Sequence, residues 1–298
     1  MSESLRIVVA IATAGRREQM PLTLDRICAM TRLPERIYVC PARPEDFDAG
    51  NLARWPVPVE VIACRKPGLP AQRNQILERC TDADVALFLD DDYYPSPWYL
   101  DTLQAILAAD DRIVVATGHP AHDGATGPGI APDEAERLLA AYPRPTQKPA
   151  FVPTYGGYGC NMAIRLRPVY ENALRFDENL PLYGWLEDID FTRRLARFGE
   201  VVSSRQLEGV HLAVKKGRSP GIRLGYSQVA NPIYMVGKGS ISFKYAFRHI
   251  WRNCLSNFVK SLAPEPWVDR RGRLRGNALA LVDLLRKRLH PARVLELR

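Results

Sequence analysis

The chain has 298 residues, 46% of them hydrophobic and 25% charged, with 41 Lys and Arg against 33 Asp and Glu. That length can bury a full core in one or two domains without disulfides or a structural metal. Its longest apolar runs, such as Ile7 to Ala12 and Val85 to Leu89, fall far short of the roughly 20 residues that span a bilayer. The N-terminus carries Glu3 and passes straight into a strand-like run, so no signal peptide is expected. Cys28, Cys40, Cys64, Cys80, Cys160 and Cys254 form no CxxC pair and no zinc spacing, which fits buried thiols in a cytoplasmic protein. The net charge of +8 is unevenly placed. From Lys244 onward there are 13 Lys and Arg against 4 Asp and Glu, leaving 28 against 29 in the first 243 residues. A near-neutral body carries a basic tail.

The β-branched run Leu5 to Thr13 reads as a buried strand, and Gln19 to Thr31 has apolar residues at helical spacing. Arg36 to Cys40 and Val57 to Ala63 read as strands, Ala71 to Cys80 as a helix, and Val85 to Leu89 as a strand. Trp98 to Ala109 is helical again and Arg112 to Gly118 is another strand. This alternation predicts an α/β fold with a mostly parallel, Rossmann-like sheet, in which ligands bind beyond the carboxyl ends of the strands. Between Gly118 and Pro153 lie seven prolines and four glycines, with one short helix expected from Pro132 to Tyr142. A segment this irregular is either a solvated insertion or a substrate-covering loop. Further on, Trp185 to Phe198 is an amphipathic helix, and EVVSS and EGVHLAV suggest two short strands. After Gly239 a helix with Phe243, Phe247, Ile250, Trp251, Cys254 and Phe258 on one face runs beside Lys244, Arg248 and Arg252. A Pro/Arg-rich link, Pro264 to Arg275, leads to a last helix from Asn277 to His290.

Two constellations carry chemistry. FLDDDYYP (Phe88 to Pro95) sets three aspartates at the end of an apolar strand, where their mutual repulsion raises their pKa values unless a cation offsets it. Mg²⁺ or Mn²⁺ is the natural partner for such hard oxygen ligands; an acidic turn capping the next helix is the plainer alternative. WLEDIDFTRRL (Trp185 to Leu195) puts Glu187, Asp188 and Asp190 in a first helical turn, where the macrodipole favours negative charge. A carboxylate there is also suited to act as general base toward a hydroxyl, beside the aromatic entry of Tyr183, Gly184 and Trp185.

The chain resembles the family 2 glycosyltransferases of the GT-A fold through an ordered set of segments between Ile7 and His211. These are VAIATAGR (Val9 to Arg16), PGLPAQRN (Pro67 to Asn74), FLDDDYYP with its DxD acids Asp90 and Asp92, YGCNMAIR (Tyr158 to Arg165), and RFDENLPLYGWLEDIDFTRRL (Arg175 to Leu195). The resemblance implies an inverting hexosyltransferase that moves a sugar from a nucleoside-diphosphate donor, with a UDP-sugar expected, to a hydroxyl acceptor. It implies that Asp92 and His211 ligate Mg²⁺ or Mn²⁺, and that Asp188 is the catalytic base. Thr13, Ala14, Arg16, Gly68, Arg73, Asn74, Asp90 and Asp91 would line the donor; Glu187, Trp185 and Asn161 would hold the acceptor. His211 is equally compatible with a hydrogen-bonded histidine of no special role. The acidic residue that relatives commonly carry after the second strand to read uracil is missing, for this strand ends Cys40-Pro41-Ala42-Arg43, with Asp46 and Asp48 beyond it.

The expected organisation is a catalytic domain over residues 1–240 and a basic helical extension over 241–298. That extension lacks any nucleic-acid-binding motif. Its aromatic and cationic faces suit either an anionic membrane surface or packing of Phe243, Phe247 and Trp251 on the catalytic domain. A peripheral enzyme of polysaccharide or glycolipid assembly, with a saccharide or lipid-linked acceptor, is therefore expected at the inner face of the cell membrane. Two rivals remain: a non-catalytic sugar-nucleotide or polyanion binder on the same fold, and a sugar-nucleotidyltransferase. The latter is disfavoured because no glycine-rich basic loop follows the first strand.

Overall fold

The computed structural model describes residues 4–217 and 219–297. The run IVVAIAT forms β1 (Ile7–Thr13), a strand buried on both faces, as a near-continuous β-branched sequence in a parallel sheet must be. In chain order there follow α1 (Gln19–Cys28), β2 (Ile37–Pro41), β3 (Val59–Val61), α2 (Leu69–Leu77), β4 (Val85–Asp90), β5 (Tyr93–Pro95) and α3 (Tyr99–Ala109). Next come β6 (Ile113–Gly118), β7 (His122–Asp123), α4 (Pro132–Ala140), β8 (Val152–Pro153), β9 (Asn161–Arg165), α5 (Leu166–Glu171) and α6 (Glu187–Leu195). The chain ends with β10 (Glu200–Ser204), β11 (Gly209–His211), α7 (Gly221–Lys238), α8 (Phe243–Lys260) and α9 (Arg270–Leu285).

These elements fall into two compact units. One runs to Pro67 and takes in Gln72–Arg175 and Leu195–Gly217; the other comprises Gly68–Ala71, Phe176–Arg194 and the chain beyond Gly217. In the first, eight strands lie in the order β3-β2-β1-β4-β9-β6-β10-β8. The pairs β3/β2, β2/β1, β1/β4 and β6/β10 are parallel; β9 is antiparallel to both neighbours, and β8 to β10. The sheet is the mostly parallel one expected. A second, three-stranded sheet runs β5-β11-β7 and opposes His211 to Tyr93 on one side and to Asp123 on the other. The main core packs Ile7, Val9 and Ile11 of β1 with Leu24 and Ile27 of α1, Leu87 of β4 and Leu103 of α3.

The second unit differs most from the expectation. Residues Gly221 to Lys238, for which no element is predicted, form an 18-residue helix despite three glycines and an internal Pro232. Glycine inside a helix normally costs about 1 kcal/mol relative to alanine. Here it is repaid in packing. A Cβ at Gly225 would collide with the carbonyl oxygen of Arg273, and one at Gly276 with that of Ile222, so both glycines are needed for α7 and α9 to approach this closely. The same contact starts α9 at Arg270, inside the expected link, with the Asp269 carboxylate accepting from the Gly272 N–H as its cap. Three asparagine–glutamine–backbone bonds join the helices here: Asn277 donates to the Gly225 carbonyl at 2.7 Å, and Asn257 of α8 donates to Asn277 at 2.9 Å and Gln228 at 2.8 Å. On α8, Ile250 and Cys254 face this core. Phe243, Phe247 and Trp251 do not join this core, being 71%, 58% and 58% exposed.

The glycine crossing predicts that Gly225→Ala destabilises the protein by about 1–3 kcal/mol, the usual penalty for overpacking. Denaturant unfolding monitored by circular dichroism measures it, and unchanged stability would show that the helices can separate freely.

Candidate functional site

Parallel pairing of β1 with β4, with Ala12 opposite Asp90, brings the ends of both strands to one edge of the sheet. Thr13 and Arg16 leave β1 there, and Asp91 and Asp92 leave β4. The chain then enters β5, whose antiparallel partner β11 delivers His211, and β7 brings Asp123 to the far side of that histidine. Four separate stretches of sequence thus meet in one place.

Ligand atoms of Asp90, Asp92 and His211 all lie within 4.8 Å of one another. His211 Nδ1 is 2.9 Å from Asp123 Oδ1, and its Nε2 faces Asp92 Oδ1 at 3.5 Å. That Asp92 oxygen is buried and has no hydrogen-bond partner among the described residues, while Oδ2 accepts from the Val214 N–H at 2.7 Å. An oriented imidazole backed by a carboxylate, an orphaned carboxylate oxygen and a second aspartate fit a divalent cation such as Mn²⁺ or Mg²⁺. Asp123 completes this arrangement and was not among the expected site residues. It lies in the irregular segment after Gly118, and only the β7–β11 pairing reveals it.

Charge is balanced from within. Arg16 Nη1 lies 2.5 Å from Asp91 and 2.9 Å from Asp92, and its other nitrogens donate to the carbonyls of Val214 and Lys216. Thr13 Oγ1 donates to Asp91 at 2.5 Å. Burial pushes the Asp91 carboxyl up to about 6, with Arg16 opposing and Asp92 adding to the rise. Burial would raise Asp92 too, but His211 and Arg16 outweigh it and hold this carboxyl below its usual range. His211 is lowered by burial yet pushed up overall to about 10 by its two carboxylate neighbours. Arg73, of the expected donor set, is 2% exposed; it donates to the Gly159 carbonyl at 2.7 Å and lies 3.4 Å from Asp90 Oδ1. Asn74 is buried, and Ala14 is exposed in the loop after β1. The missing acid after β2 has a neighbour in Asp46, whose carboxylate accepts from the Gly15 N–H at 2.8 Å and the Arg43 N–H at 3.0 Å, bracing the first loop.

Asn161 is completely buried on β9, its side-chain oxygen accepting from Thr117 Oγ1 and the Gly118 N–H, both at 3.0 Å, so it ties β9 to β6. In the second unit, Gly68 sits against Leu182 with φ +134°. A tight turn with Gly184 at φ +60° and Leu186 at φ +68° leads into α6. Glu187 is buried at its start, Asp188 is half-exposed, and the Trp185 carbonyl accepts from Asn231 at 2.9 Å. Asp190 has a structural role: it is fully buried and pairs with Arg194 and Lys238, each at 2.9 Å, and Lys238 also bridges to Asp177.

A sequence profile described as glycosyl transferase family 2 matches residues 8–173, more than half of the chain. The chain belongs to glycosyl transferase family 2. No curated protein matches it. Solved structures share its fold at low identity. A mannosyltransferase from Pyrobaculum calidifontis in complex with GDP-Man and Mn²⁺ is 16% identical at TM-score 0.54, over 99% of this chain and 86% of that one. GalNAc-T7 with UDP, GalNAc and Mn²⁺ is 14% identical at TM-score 0.59, over 96% and 59%. S. aureus TarS 1-349 in complex with UDP-GlcNAc is 12% identical at TM-score 0.54, over 97% and 83%. This family 2 member is a glycosyltransferase of the GT-A fold.

In this glycosyltransferase Arg16 is the cation that offsets two buried carboxylates. Arg16→Met is expected to cost about 3 kcal/mol, the scale of breaking a buried ion pair. Thermal unfolding with and without Mn²⁺ measures it, and the ion should recover more stability in the variant than in the wild type. An unaltered melting temperature would contradict this electrostatic role.

Proposed function

We propose that the protein is a metal-dependent, inverting glycosyltransferase that moves a hexose from a nucleoside-diphosphate sugar to a hydroxyl of a saccharide or lipid-linked acceptor. The observation that carries this reading is the convergence of Asp90, Asp92 and His211 at the carboxyl end of β4. Asp92 and His211 would hold Mn²⁺ or Mg²⁺, with Asp90 beside them. When bound, the cation supplies positive charge to the diphosphate as negative charge gathers on the leaving group. Thr13 and Arg16 keep the carboxylates in register, and Arg16 is the nearest guanidinium for a phosphate. Ala14, Gly68, Arg73, Asn74 and Asp91 complete the proposed donor set. A UDP-sugar is the expected donor, and the presence of both uridine and GDP-Man complexes among the structural neighbours makes a GDP-sugar the second candidate.

For the transfer itself, Asp188 is assigned as base by resemblance and by its half-exposed place at the start of α6. It takes the proton from the acceptor hydroxyl as that oxygen bonds to the anomeric carbon. The bond from that carbon to the diphosphate oxygen breaks on the opposite face, and the nucleoside diphosphate leaves with the electron pair. Glu187 and Trp185 would hold the acceptor, and Asn161 supports the strand beneath. A role in polysaccharide or glycolipid assembly, with residues 241–298 at the inner membrane face, accords with the basic tail.

Two variants test the assignment. Asp92→Ala should lower Mn²⁺-stimulated transfer by about 10²–10³, the scale seen when one charge-stabilising group is removed; unchanged stimulation would sink the metal assignment. Asp188→Asn should keep donor binding, measured calorimetrically, and lose transfer. Full transfer by that variant would mean that another group is the base, while release of pyrophosphate by the wild type would identify a nucleotidyltransferase.

A further inference from the structure

The face that α8 leaves uncovered is built in rows. Phe243, Phe247, Trp251, Leu255 and Val259 recur every four residues and are all exposed, as are Phe258 and Leu262 beside them. One residue on, about 100° around the helix, run Lys244, Arg248 and Arg252. From Phe243 to Lys260 there is no Asp or Glu. No salt bridge holds these three cations among the described residues, whereas Lys260 is paired with Glu265. The helix is fixed along the flank next to this row: Ser242 caps its N-terminus, Ile250 and Cys254 pack against the α7–α9 core, and buried Asn257 bonds Gln228 and Asn277. Its open face is therefore a rigid apolar comb edged with unpaired positive charge.

We propose that this face of α8 docks on the surface of an anionic phospholipid bilayer, with the aromatic row among the upper acyl chains and the cationic row at the phosphates. Apolar side chains exposed together mark an interaction surface. The charge pattern selects the partner. Two copies meeting symmetrically through this face would set the cationic row against itself with no carboxylate to receive it. A lipid surface supplies a continuous layer of phosphates and, just below it, room for Phe and Trp rings, while Lys and Arg stems reach back to the headgroups. No helix among the described residues is long and apolar enough to cross a membrane, so the contact lies in the plane of the surface. The proposal locates on one helix face the membrane contact suggested for residues 241–298, and it stands apart from the transfer chemistry because docking needs no donor and no turnover.

Co-sedimentation of the full chain with vesicles of phosphatidylcholine containing about 30% phosphatidylglycerol tests it. The wild type should bind these vesicles and bind pure phosphatidylcholine far more weakly, with binding falling as salt rises. Lys244→Gln/Arg248→Gln/Arg252→Gln should weaken the partition on the order of a hundredfold, about fivefold for each cation. Phe247→Ser/Trp251→Ser should weaken it by at least about tenfold. Because these side chains are exposed, unchanged melting temperatures in both variants will show that folding is intact. Equal binding by all three proteins, no wild-type binding, or a dimer abolished by the Phe247/Trp251 pair without vesicle binding would each overturn the proposal. Loss of transfer with vesicle binding intact would fault the enzymatic reading alone.

Discussion

Three consecutive carboxylates at the end of a buried strand cannot all remain ionised in a low-dielectric place without compensation. The rest of the first unit is arranged around that constraint. Arg16 comes from the loop after β1, His211 from the end of β11, and both reach the acids because β4 lies beside β1 and β5 pairs with β11. The stretch after His211 is drawn in as well, through the Val214 N–H on Asp92 and the carbonyls of Val214 and Lys216 on Arg16. A sheet edge, a loop and a second small sheet are thus held together by one electrostatic problem. The same arrangement leaves one buried oxygen of Asp92 unsatisfied beside an oriented imidazole, which is the chemistry of a divalent site.

The division of acidic labour is visible in the second unit also. Glu187, Asp188 and Asp190 share one helical turn, yet Asp190 is buried on Arg194 and Lys238 while Asp188 stays half-exposed. A sequence pattern of acids at a helix start cannot separate these roles, since the macrodipole favours all of them alike. Burial does.

Much of the fold was legible because parallel strands buried on both faces must be continuously apolar, as β1, β4 and β6 are. The triad of aspartates and the family resemblance pointed to the edge of the sheet where Asp90, Asp92 and His211 come together. What escaped the sequence depends on long-range packing. Helix α7 contains the residues that usually end helices, and it exists because Gly225 and Gly276 let two backbones meet. Strand β9 is short and antiparallel in a parallel surrounding, and Asn161 on it serves the sheet. Asp123 lies in a proline-rich segment with no periodicity, so its place beside His211 follows only from strand pairing. The charge of the tail resolves in the same way: the acids near Lys260, Arg270 and Arg293 are paired, while Lys244, Arg248 and Arg252 of α8 lie beside its exposed rings with no salt bridge among the described residues.

The central claim is that the carboxylate cluster exists to bring a divalent cation to a nucleoside diphosphate. Isothermal titration of UDP and of GDP into the wild-type protein, in Mn²⁺ and then in EDTA, tests it most directly. The account requires that at least one of the two binds in Mn²⁺ and that this binding disappears in EDTA. Equal affinity for the same nucleotide in both conditions would contradict it.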